Sequence, residues 1–306
     1  MEIALIGVGK IARDQHVPAI AASADWDLVA TLSHEGTVDG VPAFTDLDEL
    51  LQHCPGIGAV SLCVPPGARF SYAEAALKAG RHVMLEKPPS VTLAECHALE
   101  RLARAHDVAL FATWHSREAA MVSAAQSWLR DKPLRRLRII WKEDVRRWHP
   151  GQDWVWEPGG LGVFDPGINA LSILTEILPD AFHVSTAMLD IPENRQTPIA
   201  AALAFHHPAG AEVTAEFDWR EAGPQRWDII AETDAGTLAL THGGARLAID
   251  GVPQSNATEV GEYPRLYAKM ARLAAARAVD FDLSPLLHTA DAFLRGERRS
   301  TAVFHW

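Results

Sequence analysis

Through the first third of the chain, short runs of β-branched and other apolar residues alternate with longer amphipathic stretches. Residues 3–6, 28–32, 59–64, 82–85 and 109–112 read as strands, and 11–23, 47–53, 70–79 and 93–106 as helices. Thr92, with Glu95 three positions on, has the spacing of a capping box for the last helix. Strand–helix alternation predicts a parallel, doubly wound sheet with helices on both faces. The rhythm changes near Trp114. A helix over 118–130 leads to a long strand, 136–142, then to a Trp-rich stretch and a helix over 168–178. Six strand-like segments follow, at 183–190, 199–206, 212–220, 227–233, 237–241 and 246–249, punctuated by turn signals at 207–210 and 234–236. Successive strands with few crossover helices predict a mostly antiparallel sheet with helices on one face. Helices over 263–277 and 285–295 close the chain. The expected class is α/β: a nucleotide-binding doubly wound domain over 1–117, then an α+β domain over 118–306 with an open-faced sheet.

Composition narrows the class. The 306 residues, 48% hydrophobic and 22% charged, suffice for two ordinary cores. A formal net charge of −11, with no Lys/Arg run, argues against a nucleic-acid partner. No stretch approaches the roughly 20 apolar residues of a membrane span. Cys54, Cys63 and Cys96 are odd in number and lack CxxC spacing, which fits a reducing compartment. The chain opens directly on the strand-like EIALIG without a basic leader, so a cytoplasmic protein is expected.

Gly7-Val8-Gly9-Lys10-Ile11-Ala12 sits between the first strand and the first helix, with Ala in place of the third glycine of GxGxxG. Glycines there allow a tight turn and close backbone approach to a pyrophosphate at the helix N-terminus, the Rossmann arrangement for dinucleotides. The second strand ends in Ser33-His34, with Glu35 one step on. No acid occupies the tip to repel a 2′-phosphate, and no Arg there clamps one. Both NAD and NADP fit this pattern.

The run from Trp141 to Asn169 interleaves four of the ten tryptophans with Glu143, Asp144, His149, Asp153 and Asp165. Flat apolar rings beside hydrogen-bonding acids suit a pyranose, whose C–H face stacks while its hydroxyls need fixed partners. Trp154 and Trp156, at spacing two, would point the same way on an extended strand, and could equally be core or interface residues. No HExxH or Cys/His ladder supports a metal site.

Arg81-His-Val-Met-Leu-Glu-Lys-Pro-Pro89, together with GVGKIA at 7–12 and DPGIN at 165–169, resembles the Gfo/Idh/MocA family of NAD(P)-dependent oxidoreductases. The stretches GKIARDQH (9–16), FATWHS (111–116), WKEDVRRWHPGQ (141–152) and GGLGVFDPGIN (159–169) are similar to its bacterial D-galactose and L-arabinose 1-dehydrogenase branch. The resemblance implies oxidation of the anomeric C1 hydroxyl of an aldopyranose to a lactone, and a homodimer formed through the second-domain sheet. Val213, Ala215 and Phe217 would face one side of that sheet and Glu212, Thr214 and Glu216 the other. Lys87 is then the catalytic cation. Asp165 matches the family's aspartate in Asp-x-x-x-His, but Asn169 stands at the histidine position. An amide orients a hydroxyl and is no base at neutral pH, so the base role falls to Asp165, sharing its proton with Lys87. Sugar contacts are expected from His115, Glu143, Trp148, Asp165, Asn169 and Trp227. Cofactor contacts are expected from Gly7, Gly9, Lys10, Ile11, Ser33, His34, Cys63, Pro65, Glu86 and Lys87. Oxidation of another polyol or diol in the same fold, or a non-catalytic NAD(P)-binding sugar sensor, are the alternatives.

Overall fold

In the computed structural model, which describes residues 1–178, 181–255 and 260–306, the alternating N-terminal segments form a parallel sheet. Its strand order is Val279–Asp280, Leu110–Thr113, His82–Glu86, Ala59–Leu62, Glu2–Ile6, Asp27–Leu32 and Ala43–Phe44. The central strands are apolar on both faces because helices cover both. The capping box at Thr92 forms, with the Thr92 hydroxyl accepting from Glu95 N–H and the Glu95 carboxylate accepting from Thr92 N–H.

The chain divides into two units, and the boundary differs from the expected 1–117 and 118–306 split. The first unit comprises Met1–His115 and also Val260–Leu283; the second comprises Ser116–Glu259 and Ser284–Trp306. The reason is a stripe on the helix Glu262–Ala276. Its Tyr263, Leu266, Tyr267, Met270 and Ala274 recur at helical spacing and bury against Ile20, Trp26, Met84 and Phe111. Each large apolar side chain so buried contributes about 1.5–3 kcal/mol, and strand Val279–Asp280 then extends the sheet.

The second unit carries a nine-stranded sheet among the described residues, ordered Val252–Pro253, Arg246–Ile249, Gly236–Thr241, Arg226–Thr233, Leu134–Lys142, Glu212–Asp218, Ala200–His206, His183–Pro192 and Glu297–Thr301. The sheet is mixed. Leu134–Lys142 pairs parallel with Glu212–Asp218, and the unforeseen strand Glu297–Thr301 pairs parallel with His183–Pro192. Val213, Ala215 and Phe217 are buried on the face that carries helix Phe164–Ile177. Gly167 lets that helix close on the sheet, since a Cβ there would lie 3.0 Å from the Phe217 ring. The opposite face carries a ladder of exposed ion pairs, Arg136 with Glu212 and Glu232, and Arg138 and Lys142 with Glu216. Among the described residues, no helix is long and apolar enough to cross a membrane.

Candidate active site

Gly7 turns the chain out of its strand at φ +90°, its N–H donating to the Leu32 carbonyl at 2.7 Å. A Cβ at Gly7 would lie 2.8 Å from the Val64 nitrogen, whereas one at Gly9 would meet nothing within 4 Å. Gly7 is therefore required by packing, and Gly9 leaves open ground before the helical stretch 10–21, which a pyrophosphate fits. That stretch holds a wide π-turn over Ala12–His16. Lys10 is exposed and pairs with Asp14, and Ile11 is exposed. Ser33 and His34 follow the second strand, the Ser33 hydroxyl accepting from Glu35 N–H at 3.2 Å. Cys63 is buried after its strand, and Pro65 precedes the helix Pro66–Lys78.

Glu86, expected among the cofactor contacts, is buried at the end of the strand His82–Glu86. Its carboxylate points inward: Oε1 accepts from His16 Nε2 at 3.0 Å and from Tyr263 Oη at 2.7 Å, and Oε2 accepts from the Lys87 N–H at 3.0 Å. His16 Nδ1 lies 2.8 Å from Tyr267 Oη, which itself donates to Ser61 Oγ at 3.2 Å. Ser61 Oγ also lies 3.3 Å from Nδ1, so His16, Tyr267 and Ser61 form one buried hydrogen-bonded cluster that ends on Glu86. Burial would lower the His16 pKa, but Cys63, Tyr267 and Glu86 around it outweigh burial and raise it well above the ordinary range. Burial likewise would raise Glu86, yet the hydrogen bond and charge of His16, with His115 and Tyr263, hold it at about 2. Arg69 closes the support: Nε donates to the Val64 carbonyl at 2.8 Å, and Nη1 to the carbonyls of Glu86 and Pro88. Lys87, half-buried, thus sits on backbone held from three sides. His115, also in this unit, directs Nδ1 to Glu262 at 2.7 Å and stacks on Tyr263.

In the second unit, strand alternation places Leu137, Ile139, Trp141 and Glu143 on the covered face, with Trp227 directly opposite Trp141. Glu143 is buried past the strand end, where its Oε2 accepts from Trp227 Nε1 at 2.8 Å and its Oε1 from Trp219 Nε1 at 3.3 Å. Burial raises its pKa, the two indole hydrogen bonds and His149 opposing and Asp165 adding to the rise. Trp148, at the end of the short helix Val145–Trp148, lies 5.8 Å from Trp227 by ring centroids and is 36% exposed. Asp165 falls in the first turn of Phe164–Ile177, and Asn169 one turn on shares its face.

The side chain that sequence reasoning undervalued is His149, whose Nε2 lies 3.1 Å from Asp165 Oδ2. Its ring packs against Trp154 and Trp219, and Nδ1 lies 3.2 Å from Gln152 Oε1. Trp154 Nε1 also donates to that Gln152 atom, at 3.2 Å. An indole nitrogen can only donate, so the Gln152 atom is oxygen and His149 Nδ1 carries hydrogen. Nε2 then faces the Asp165 carboxylate at hydrogen-bonding distance. No local signal marked this pair, which spans 16 positions.

Trp154 and Trp156 occupy a 3₁₀ turn, Asp153–Trp156, rather than an extended strand. Trp154 supports His149, while Trp156 is core, packed on Trp219 and Phe304. Asp144 caps the helix at Arg146, and Asp153 pairs with Arg195 and Trp306.

A family model described as the oxidoreductase family with NAD-binding Rossmann fold matches residues 1–113. The chain is 42% identical to galactose 1-dehydrogenase from Pseudomonas fluorescens, over 100% of this chain and 99% of that one. It is 52% identical to D-galactose-1-dehydrogenase from Rhizobium etli, whose crystal structure matches with a TM-score of 0.95 over 99% of this chain and 97% of that one. A 3-ketoreductase from Actinomadura kijaniata, solved with NADP and TDP-benzene, is 14% identical with a TM-score of 0.83, over 98% and 99% of the two chains, and shows the shared fold. With a relative this similar end to end and an N-terminal segment, residues 1–113, that fits the family model, the chain belongs to the Gfo/Idh/MocA family of oxidoreductases.

Proposed function

We propose that the protein is an NAD(P)-dependent aldose 1-dehydrogenase, oxidising the anomeric C1 hydroxyl of D-galactose and L-arabinose to the aldonolactone. The observation that carries this reading is the cluster of Asp165, His149 and Glu143 beside the Trp148–Trp227 surface, an acid–imidazole pair next to a sugar-sized aromatic platform. The relatives named for galactose support it. D-Galactose and L-arabinose share their configuration from C2 to C4, so one set of hydroxyl partners serves both.

The nicotinamide supplies the hydride acceptor when bound. The chain's own groups do the rest. Gly7, Gly9 and the N-terminus of the helical stretch 10–21 bind the pyrophosphate. Asp165 takes the C1 hydroxyl proton at its carboxylate, and the contact with His149 keeps that carboxylate oriented. Lys87 offers positive charge to the developing alkoxide. Glu143, held by two indoles, accepts from a sugar hydroxyl, and Trp148 with Trp227 stacks the ring. Asn169 and His115 complete the hydroxyl contacts. A second copy of the chain covers the polar sheet face, giving a homodimer.

Mixing the protein with NAD or NADP and a panel of aldoses, and following absorbance of the reduced cofactor, tests the reading. Reduction with galactose and arabinose is the expected result. Reduction only with an inositol or a diol, or with nothing, would overturn it. Asn169→Ala is expected to raise KM by about tenfold while leaving kcat nearly unchanged, because an amide that only orients a hydroxyl acts in binding. Steady-state kinetics of this variant read the split directly.

A further inference from the structure

Four strands of the second unit run the same way. Leu134–Lys142 pairs parallel with Glu212–Asp218, and His183–Pro192 with Glu297–Thr301, while Ala200–His206 lies antiparallel between the two pairs. The segments that leave these strands, from positions 143, 219, 193 and 302, therefore start at one end of the sheet. The first of them carries Trp148 and His149, and little in it is regular. It comprises the four-residue helix Val145–Trp148, a turn with Gly151 at φ +67°, and the 3₁₀ turn Asp153–Trp156. Helical pieces this short gain too few internal hydrogen bonds to stand by themselves. What holds this segment comes from the other three. One support is the Trp219 carbonyl, which accepts from the Val145 N–H at 3.1 Å.

The others are residues 194–195 and 304–306. The Asn194 side chain fixes Phe304 as a backbone neighbour would, Nδ2 donating to its carbonyl at 2.9 Å and Oδ1 accepting from its N–H at 3.0 Å. Arg146 Nη2 donates to the His305 carbonyl at 2.7 Å, with the guanidinium over the Phe304 ring. Asp153 Oδ1 accepts from both Arg195 Nη1 and Trp306 Nε1, each at 3.0 Å. The Arg195 guanidinium lies within 6.0 Å of the ring centroids of Trp156, Phe304 and Trp306, so three aromatic rings share one cation. Trp156 is 2% exposed, and its Nε1 has no hydrogen-bond partner among the described residues, so the rings packed on it set its place. Trp156 in turn packs on Trp219, which packs on His149 and donates to Glu143. We propose that residues 304–306, with Arg195, form a latch that holds the segment 145–156, and that Trp306 is a positioning residue for aldose binding. It acts through Asp153 and Trp156 on Trp148 and His149. This inference rests on the aldose reading above.

The test compares the full-length wild type with Trp306→Ala by hydrogen–deuterium exchange and by steady-state kinetics with galactose. Trp306 is 39% exposed, so its removal leaves the core in place. Amide exchange across 145–156, where the His149 N–H donates to the Val145 carbonyl at 2.8 Å, is expected to quicken about tenfold, while the strand Leu134–Lys142 keeps its rate. KM for galactose is expected to rise about tenfold with kcat falling less than about threefold, because Asp165 and Lys87 stand on other elements. A merely less stable protein would lose active enzyme, lowering kcat with KM unchanged. Asp153→Ala removes the acceptor shared by Trp306 and Arg195 and should reproduce both changes. Unchanged exchange across 145–156 in both variants would overturn the latch. Faster exchange with an unchanged KM would overturn its part in sugar binding. A wild type that oxidises no aldose would overturn the aldose reading and with it the positioning role of Trp306, while the exchange rates still decide the latch.

Discussion

Asp165→Asn is expected to lower kcat for galactose oxidation by roughly 10²- to 10⁴-fold, the range associated with a positioned proton acceptor. The replacement keeps the size of the side chain and can still hydrogen-bond to His149 Nε2, now 3.1 Å from the carboxylate. It removes only the capacity to take a proton. Because Asp165 lies in the first turn of Phe164–Ile177, a second consequence must be separated from the first. An acid there also interacts favourably with the helix dipole, and its loss costs about 0.3–1 kcal/mol at most exposed sites. A small fall in Tm with a large fall in kcat is therefore the expected combination. Lys87→Met should give a comparable fall in kcat, since a thioether retains the length of the side chain without its charge. Near-normal turnover of Asp165→Asn would remove the base assignment, and the imidazole of His149 would be the next group to test.

The other large effect is expected from Glu86→Gln. Breaking a buried ion pair by removing one partner leaves an uncompensated charge and costs about 3–5 kcal/mol. Here the charge left behind is His16, whose side chain is 0% exposed. A fall in Tm on the order of 10 °C is expected. The pH dependence follows from the two shifts. Glu86 is held down from 4.5 to about 2, so its contribution is complete above about 4.5 and is lost as pH falls from there towards 2. His16 is raised above 6.5, so its share is complete below 6.5 and is lost as pH rises through its folded-state value. The Tm difference between wild type and Glu86→Gln should be greatest between those limits and shrink on both sides. Scanning calorimetry across pH measures it; a difference flat with pH would show that the pair is not ionised. Lowered kcat should accompany the lost stability, since Glu86 Oε2 also holds the Lys87 N–H.

Local signals were read well because their physics is local. The capping box at Thr92, the glycine turn at residue 7 and the alternation in Glu212–Asp218 each depend on neighbours a few positions away. The helix containing Asp165 and Asn169 does begin early enough to put both on one face. Contacts between distant segments were not legible. His16 and Glu86 are 70 positions apart, and Glu86 and Tyr263 are 177 apart. Nothing in either neighbourhood announces the other. Glu-Lys-Pro reads as a motif around Lys87, while the inward role of its glutamate depends on partners from two other segments. Spacing of two between Trp154 and Trp156 was ambiguous for a different reason: indoles at that spacing suit a strand, but Gln152 and the glycines around them end in a tight turn instead.

The return of Val260–Leu283 to the first unit bears on how the protein is made. A ribosome delivers His16 and Glu86 early, yet Tyr263 and Tyr267, which hydrogen-bond to them, arrive only after the greater part of the second unit. At roughly 5–20 residues per second, the 177 positions between Glu86 and Tyr263 leave one wall of a charged cluster open for about 10 to 35 seconds. Synthesis thus imposes an order in which the nucleotide-binding unit begins first and finishes late. A fragment ending at His115 would keep the glycine loop but lack that wall, so a transplant of the nucleotide-binding unit into another chain needs both of its segments, joined by a new linker.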